Sequence, residues 1–128
     1  MSMGKRKVLV IDDEPAMHRL VQIILEVEGF EIVGMGNQEE ATKAVASGKP
    51  DLIILDIMMP EVDGFEILRM LKGDEETRDI PVIVLTVRNM EEDVRKAKSL
   101  GAEIYMTKPF QPSELVDAVH AALSADKA

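Results

Sequence analysis

The chain has 128 residues, the size of a single domain, and is long enough to bury a core without disulfides or a structural metal. It has no cysteine, which excludes disulfide frameworks, thiolate nucleophiles and Cys-built zinc or iron–sulfur sites, and its two histidines, His18 and His120, are too few and too scattered for a His-built metal centre. Fifteen basic against 24 acidic side chains leave a net charge of −9, and there are three phenylalanines, one tyrosine and no tryptophan, which argues against both phosphate-backbone binding and base stacking.

No stretch approaches the ~20 apolar residues of a membrane helix. The basic start Lys5-Arg6-Lys7 leads into an apolar run that stops at Asp12, short of a signal-peptide core. A soluble cytoplasmic protein with no membrane attachment and no direct nucleic-acid binding is therefore expected.

The first apolar run, residues 8–11, is continuous and rich in Val and Ile, as strands buried on both faces are. Met17, Leu20, Val21, Ile24 and Leu25 then fall at i, i+3, i+4, i+7 and i+8, one stripe of a helix. Asp13 is its candidate N-cap, Pro15 suits its first turn and Gly29 ends it. A second run covers residues 31–35, and Asn37 with Glu40 makes a capping-box-like start for a helix closing at Gly48. The third run, 52–55, precedes a helix opened by Asp63-Gly64, with Phe65, Ile67, Leu68, Met70 and Leu71 packing and Gly73 beyond them. The fourth run, 82–85, leads to a helix from about 90 to 100 that stops at Gly101. The fifth, 104–106, is followed by a last helix from Pro112, with Glu114 in its first turn and Leu115, Val116, Val119, Ala122 and Leu123 on its apolar face. This βα order, repeated five times, predicts an α/β fold: a five-stranded parallel sheet with helices on both faces. Residues 1–6 are expected as an N-terminal tail, with Met1-Ser2-Met3 reading as an expression remnant, 7–125 as one domain and 126–128 as a C-terminal tail.

In open parallel sheets ligands bind beyond the carboxyl ends of the strands, so the polar residues that follow each run are the candidates for chemistry. Asp12, Asp13 and Glu14 follow the first, Asp56 the third, Thr86 the fourth and Lys108 the fifth. Three clustered carboxylates repel unless neutralised, and their oxygen-only character suits Mg²⁺. Lys108 supplies a point charge for an anion and Thr86 one hydrogen bond. An aspartate beside a metal can act as a nucleophile and form an acyl phosphate. Read singly, Asp12 and Asp13 are a helix cap, Asp56 a polar strand end, Thr86 a strand closer and Lys108 a solvated lysine. Their joint occurrence at four strand ends is what singles out a site.

The ordered motifs identify a family. Residues 8–14 (Val-Leu-Val-Ile-Asp-Asp-Glu), 50–60 with Asp63-Gly64, 80–86, Gly101-Ala102, and Lys108-Pro109-Phe110 with Glu114-Leu115 resemble the receiver domain of two-component response regulators over essentially the whole chain. The resemblance, closest in kind to chemotaxis-type receivers, implies a flavodoxin-like (βα)5 fold. It implies that Asp56 accepts a phosphoryl group from a phosphohistidine on a sensor histidine kinase or a histidine phosphotransfer protein. It further implies that Asp13, Asp56 and the Met58 backbone carbonyl hold Mg²⁺, with Asp12 reaching it through water. Thr86 and Lys108 would contact the phosphoryl oxygens, and Tyr105 would be the aromatic residue that follows the threonine. The Lys108-Pro109 bond would be cis, a conformation that proline makes accessible. The domain would change conformation on the face of its fourth helix, fifth strand and fifth helix, residues 90–123, for an unknown downstream target protein, and would catalyse only its own phosphorylation and dephosphorylation. A single switch domain with no effector attached is the resulting expectation.

Two departures from the family pattern stand out. Val87 follows Thr86 where alanine or glycine is usual, and is expected to slow the access of water and bulky partners; Arg88 and Met58 are the other rim residues expected to tune lifetime. Ala118 stands where DNA-binding relatives that dimerise through this face usually carry a basic residue, which weakens the expectation of such a dimer. His18 is expected to face solvent or a docking kinase, and His120 to lie on the surface. Three other readings share part of the pattern. A flavodoxin-type FMN binder would need a hydroxyl- and glycine-rich loop where Asp12-Asp13-Glu14 stands. A dehalogenase-like phosphatase would need an Asp-x-Asp pair and a larger chain. A degenerate receiver working as a binding module would not need the full acidic set.

Overall fold

A computed structural model of the chain describes residues 6–35, 43, 45, 48–59 and 62–125. The chain order is β1 (Lys7–Ile11), α1 (Pro15–Glu26), β2 (Glu31–Met35), β3 (Leu52–Leu55), β4 (Met58–Met59), β5 (Val62–Asp63), α2 (Gly64–Gly73), β6 (Val82–Thr86), α3 (Glu91–Ser99), β7 (Ile104–Thr107) and α4 (Pro112–Ala125). Residues 1–5 and 126–128, and the expected capping pair Asn37 and Glu40, lie outside the described residues; Lys43 and Val45 are helical.

Five strands form one parallel sheet in the order β2-β1-β3-β6-β7. The chain leaves β1 toward β2 and returns on the other side as β3, so the topological switch lies between β1 and β3. Alternation along the buried strands divides the core in two. Leu9, Ile11, Ile53, Leu55, Val82 and Val84 face one side with Phe65, Ile67 and Leu68 of α2 and Ala97 of α3. Val8, Val10, Leu52, Ile54, Ile83 and Leu85 face the other with Val21 and Leu25 of α1 and Leu115 and Val119 of α4. Helices therefore cover both faces, as the continuous apolar runs require.

The helix ends follow local chemistry with one correction. Asp63 caps α2 by accepting from the Phe65 N–H at 2.9 Å, and Glu114 accepts from the Gln111 N–H at 2.6 Å at the start of α4. Gly29 and Gly101, at φ +94° and +109°, stop α1 and α3 as expected. Asp13, by contrast, is not the cap of α1. Glu14 holds that position without a side-chain cap, and the Asp12 carboxylate accepts the Glu14 N–H at 2.9 Å. Leu20 and Met70, expected in the packed stripes, are exposed because they fall on the outer edges of their helices. The short antiparallel hairpin of β4 and β5 was not expected; it follows Asp56 directly and turns the chain back into α2.

The end of the sheet remote from the acidic residues is tied by Lys72. Its Nζ donates to the carbonyls of Arg78 and Ile80 at 3.1 and 2.9 Å and to Glu103 Oε2 at 3.0 Å, while Glu103 Oε1 accepts the Val82 N–H at 2.8 Å. Lys72→Ala leaves these acceptors short of a donor and is expected to cost about 2 kcal/mol of unfolding free energy. Denaturant unfolding should show this loss while divalent-cation affinity at the opposite end of the sheet stays unchanged.

Candidate functional site

The register determines which strand ends meet. Ile11 pairs with Leu55, so the next residues, Asp12 and Asp56, are neighbours and leave their strands on the same side. The Asp56 N–H donates to the Ile11 carbonyl and the Asp12 N–H to the Met35 carbonyl, both at 3.0 Å. Asp12 and Asp56 are 2% and 6% exposed, whereas Asp13 is exposed. One carboxylate oxygen from each of Asp12, Asp13 and Asp56 lies within 4.8 Å of the others. Lys108 enters from the end of β7, where its N–H donates to the Thr86 carbonyl at 2.8 Å. Its Nζ donates to Asp12 Oδ2 at 2.9 Å and Asp56 Oδ2 at 3.0 Å, and lies 3.5 Å from Glu14 Oε1. The Lys108-Pro109 peptide is cis, as the resemblance implied.

These contacts shift the titrations of Asp12 and Lys108. Burial raises the Asp12 carboxyl above its ordinary value, and the Glu14 N–H and Lys108 offset this only in part. Burial alone would lower Lys108, but its hydrogen bonds to Asp12 and Asp56 and their charges outweigh it and raise the ammonium. A single ammonium cannot neutralise three carboxylates. The donor set is made only of oxygen and fits a hard divalent cation.

Asp56 Oδ1 accepts the Met58 N–H at 2.8 Å, so the turn after β3 is organised around the carboxylate. That turn needs Gly64: a Cβ there would lie 2.2 Å from Ile57 Cα and 2.9 Å from the Asp56 carbonyl oxygen. The sequence marked Gly64 only as a helix start; its role is the close approach of α2 to the site. Thr86 is fully buried at the end of β6, and its Oγ1 accepts the Arg88 N–H at 3.4 Å. Val87 is exposed. Arg88 does not point to the carboxylates. Its guanidinium makes a two-pronged pair with the buried Asp93 of α3, at 2.9 and 3.2 Å, and its carbonyl accepts the Tyr105 hydroxyl at 2.8 Å. Burial, reinforced by the charge of Asp93, raises the Tyr105 hydroxyl.

Two residues of the surroundings escaped the sequence. Asp93 stands with Glu91 and Glu92 in the first turn of α3, and the fold buries it. His18 does not face solvent: its Nε2 sits 2.5 Å from the Asp12 carbonyl oxygen, and its ring lies against Gly34 of β2. His120 is exposed, as expected.

The family model for the response regulator receiver domain matches residues 8–120. The phosphate regulon transcriptional regulatory protein PhoB of Pseudomonas aeruginosa is 40% identical over 118 residues, 92% of this chain and 52% of that protein. The DNA-binding response regulator MtrA of Mycolicibacterium smegmatis is 36% identical over 123 residues, 96% of this chain and 53% of that protein. This chain thus spans about half the length of these relatives. Among solved structures, the chemotaxis protein CheY4 of Vibrio cholerae superposes with a TM-score of 0.86 at 27% identity, covering 92% of this chain and 98% of that one.

Because Lys108 binds its proton more tightly in the folded chain, the stability contributed by its own titration is complete below its ordinary value of 10.5 and is lost as pH rises through the higher folded value. Lys108→Ala is expected to cost ~3 kcal/mol at neutral pH without metal. Urea unfolding across pH should show the deficit narrowing in acid, as the Asp12 carboxyl, raised by burial, takes up its proton and the repulsion within the cluster falls.

Proposed function

The chain belongs to the response regulator receiver-domain family, whose function is phosphoacceptance in two-component signalling, and from this premise we propose that Asp56 is the phosphoacceptor. The observation that carries the reading is the approach of Lys108 Nζ to Asp56 Oδ2, at 3.0 Å, inside a cluster of three carboxylates at the topological switch of the sheet. A carboxylate oxygen of Asp56 attacks phosphorus, the P–N bond to the donor imidazole breaks, and an acyl phosphate forms. Asp13, Asp56 and the Met58 carbonyl would hold Mg²⁺, with Asp12 reaching it through water, and the bound ion would supply positive charge for phosphoryl oxygens. Lys108 supplies the second positive charge on those oxygens, and the Thr86 hydroxyl, held only by a long bond from the Arg88 N–H, donates to one of them. The domain catalyses only its own phosphorylation and dephosphorylation.

The donor is a sensor histidine kinase or a histidine phosphotransfer protein. Leu20 and Ile23 on α1, with Val27 just past its C-terminal end, form an exposed apolar stripe that suits a helical donor of this kind. Phosphorylation adds about −1.5 to −2 charge. Movement of Thr86 toward it passes to Arg88 and hence to Tyr105 and α3. The responding face comprises α3, β7 and α4, residues 90–123, and is read by a downstream target protein. With a net charge of −9 the domain does not itself bind nucleic acid, although relatives of about twice the length carry names as transcriptional and DNA-binding regulators. Among the described residues no helix is long and apolar enough to cross a membrane, and we place the domain in the cytoplasm.

Incubation with acetyl phosphate and Mg²⁺ followed by intact-mass analysis is expected to show one phosphoryl adduct, absent without metal and in Asp56→Asn. No adduct despite intact Mg²⁺ binding would instead identify a phosphorylation-independent binding module. Val87 slows the approach of water to phospho-Asp56, so Val87→Ala is expected to shorten the lifetime of the adduct several-fold, measured by its decay after donor removal.

A further inference from the structure

We propose that His18, seated in a notch opened by Gly34, is a positioning residue for Asp12 and sets the affinity of the acidic site for its divalent cation. The proposal rests on the reading of Asp12 as a water-mediated metal ligand. All four polar groups of Asp12 are engaged. Its N–H donates to Met35, Oδ1 accepts from the Glu14 N–H, Oδ2 accepts from Lys108, and its carbonyl meets His18 Nε2 at 2.5 Å. A carbonyl oxygen only accepts, so Nε2 carries the proton of this bond. The first three contacts hold the strand end and the carboxylate. The fourth holds the peptide between Asp12 and Asp13, and through it the direction in which both acidic side chains leave β1.

The ring can occupy this place because β2 carries no side chain at Gly34. A Cβ there would lie 2.5 Å from His18 Nδ1 and 3.0 Å from Cγ, too close for either atom, so the imidazole would have to leave its seat. His18 is half-buried in the second turn of α1, six residues from Asp12, and the two meet only because α1 packs back across β2. Groups that orient metal ligands from behind typically control affinity by about 10–100-fold.

Mg²⁺ affinity of the 128-residue chain, measured by calorimetry at one fixed pH, tests this beside the melting temperature without metal. His18→Ala and Gly34→Ala are each expected to weaken Mg²⁺ binding about tenfold, while His18→Gln, which keeps an N–H donor at the Nε2 position, stays within about twofold of the unsubstituted chain. The double variant His18→Ala/Gly34→Ala is expected to bind no more weakly than His18→Ala alone, since the three atoms nearest a Cβ at residue 34 all belong to the His18 ring. Lowered melting temperatures with unchanged Mg²⁺ affinity would reduce His18 to packing and overturn the proposal. So would additive losses in the double variant, or failure of His18→Gln to recover binding. Failure of the unsubstituted chain to bind Mg²⁺ would overturn the metal-site reading itself, and the proposal with it.

Discussion

The contact of one ammonium with carboxylates from two other strand ends is the constraint around which this molecule is arranged. Lys108 reaches Asp12 at 2.9 Å and Asp56 at 3.0 Å, joining the carboxyl ends of β1, β3 and β7. At an effective dielectric constant of ~20, Asp12 and Asp56, with oxygens within 4.8 Å, repel by about 3 kcal/mol, while each contact with Lys108 attracts by roughly 5 kcal/mol before desolvation. Without the lysine, the register that places the two aspartates side by side would be a liability. With it, the site still carries an excess of negative charge, and that excess gives it an appetite for a divalent cation.

The polar end of the sheet is also cross-linked. The Arg88 main chain joins Thr86 to Tyr105, and its side chain joins both to Asp93 in the first turn of α3. Lys96, one turn further on, lies 4.3 Å over the Phe65 ring of α2. A small movement of the Thr86 hydroxyl is therefore not confined to the strand end. It moves a peptide bonded to Tyr105 and carrying the guanidinium that holds α3. Asp93, buried and charged, makes this connection costly to break halfway, which favours two discrete arrangements over a continuum.

Two glycines let backbone elements approach the acidic cluster more closely than any other residue would. Gly64 brings α2 against the Asp56–Ile57 peptide, and Gly34 admits the His18 ring beneath Asp12. Neither needs a left-handed conformation; both are glycine for want of space. By contrast Gly29 and Gly101, at positive φ, end helices. The site is thus held from behind by packing and in front by charge.

Much of this was written in local patterns. Continuous Val/Ile runs alternating with amphipathic segments determined a parallel sheet covered on both faces. Asp12, Asp13, Asp56, Thr86 and Lys108 could be picked out because each lies within two residues of the end of a run, where a parallel sheet presents its ligands. What depended on distant neighbours was not legible. The cap of α1 passed from Asp13 to the Asp12–Glu14 turn because Asp12 is held by β2 and by Lys108. Leu20 looked like core, yet the apolar stripe of α1 is wider than the face the sheet covers. Arg88 looked like part of the rim of the acceptor site, and the tertiary structure turned it to Asp93. His18 and Gly34, sixteen residues apart, carry no shared signal, because the contact between them exists only when α1 lies across β2. Sequence alone determined which residues stand at the strand ends, since alternation and periodicity are properties of short segments. Tertiary structure decided which side chains hold them there, since that depends on register, helix placement and the room a missing Cβ leaves.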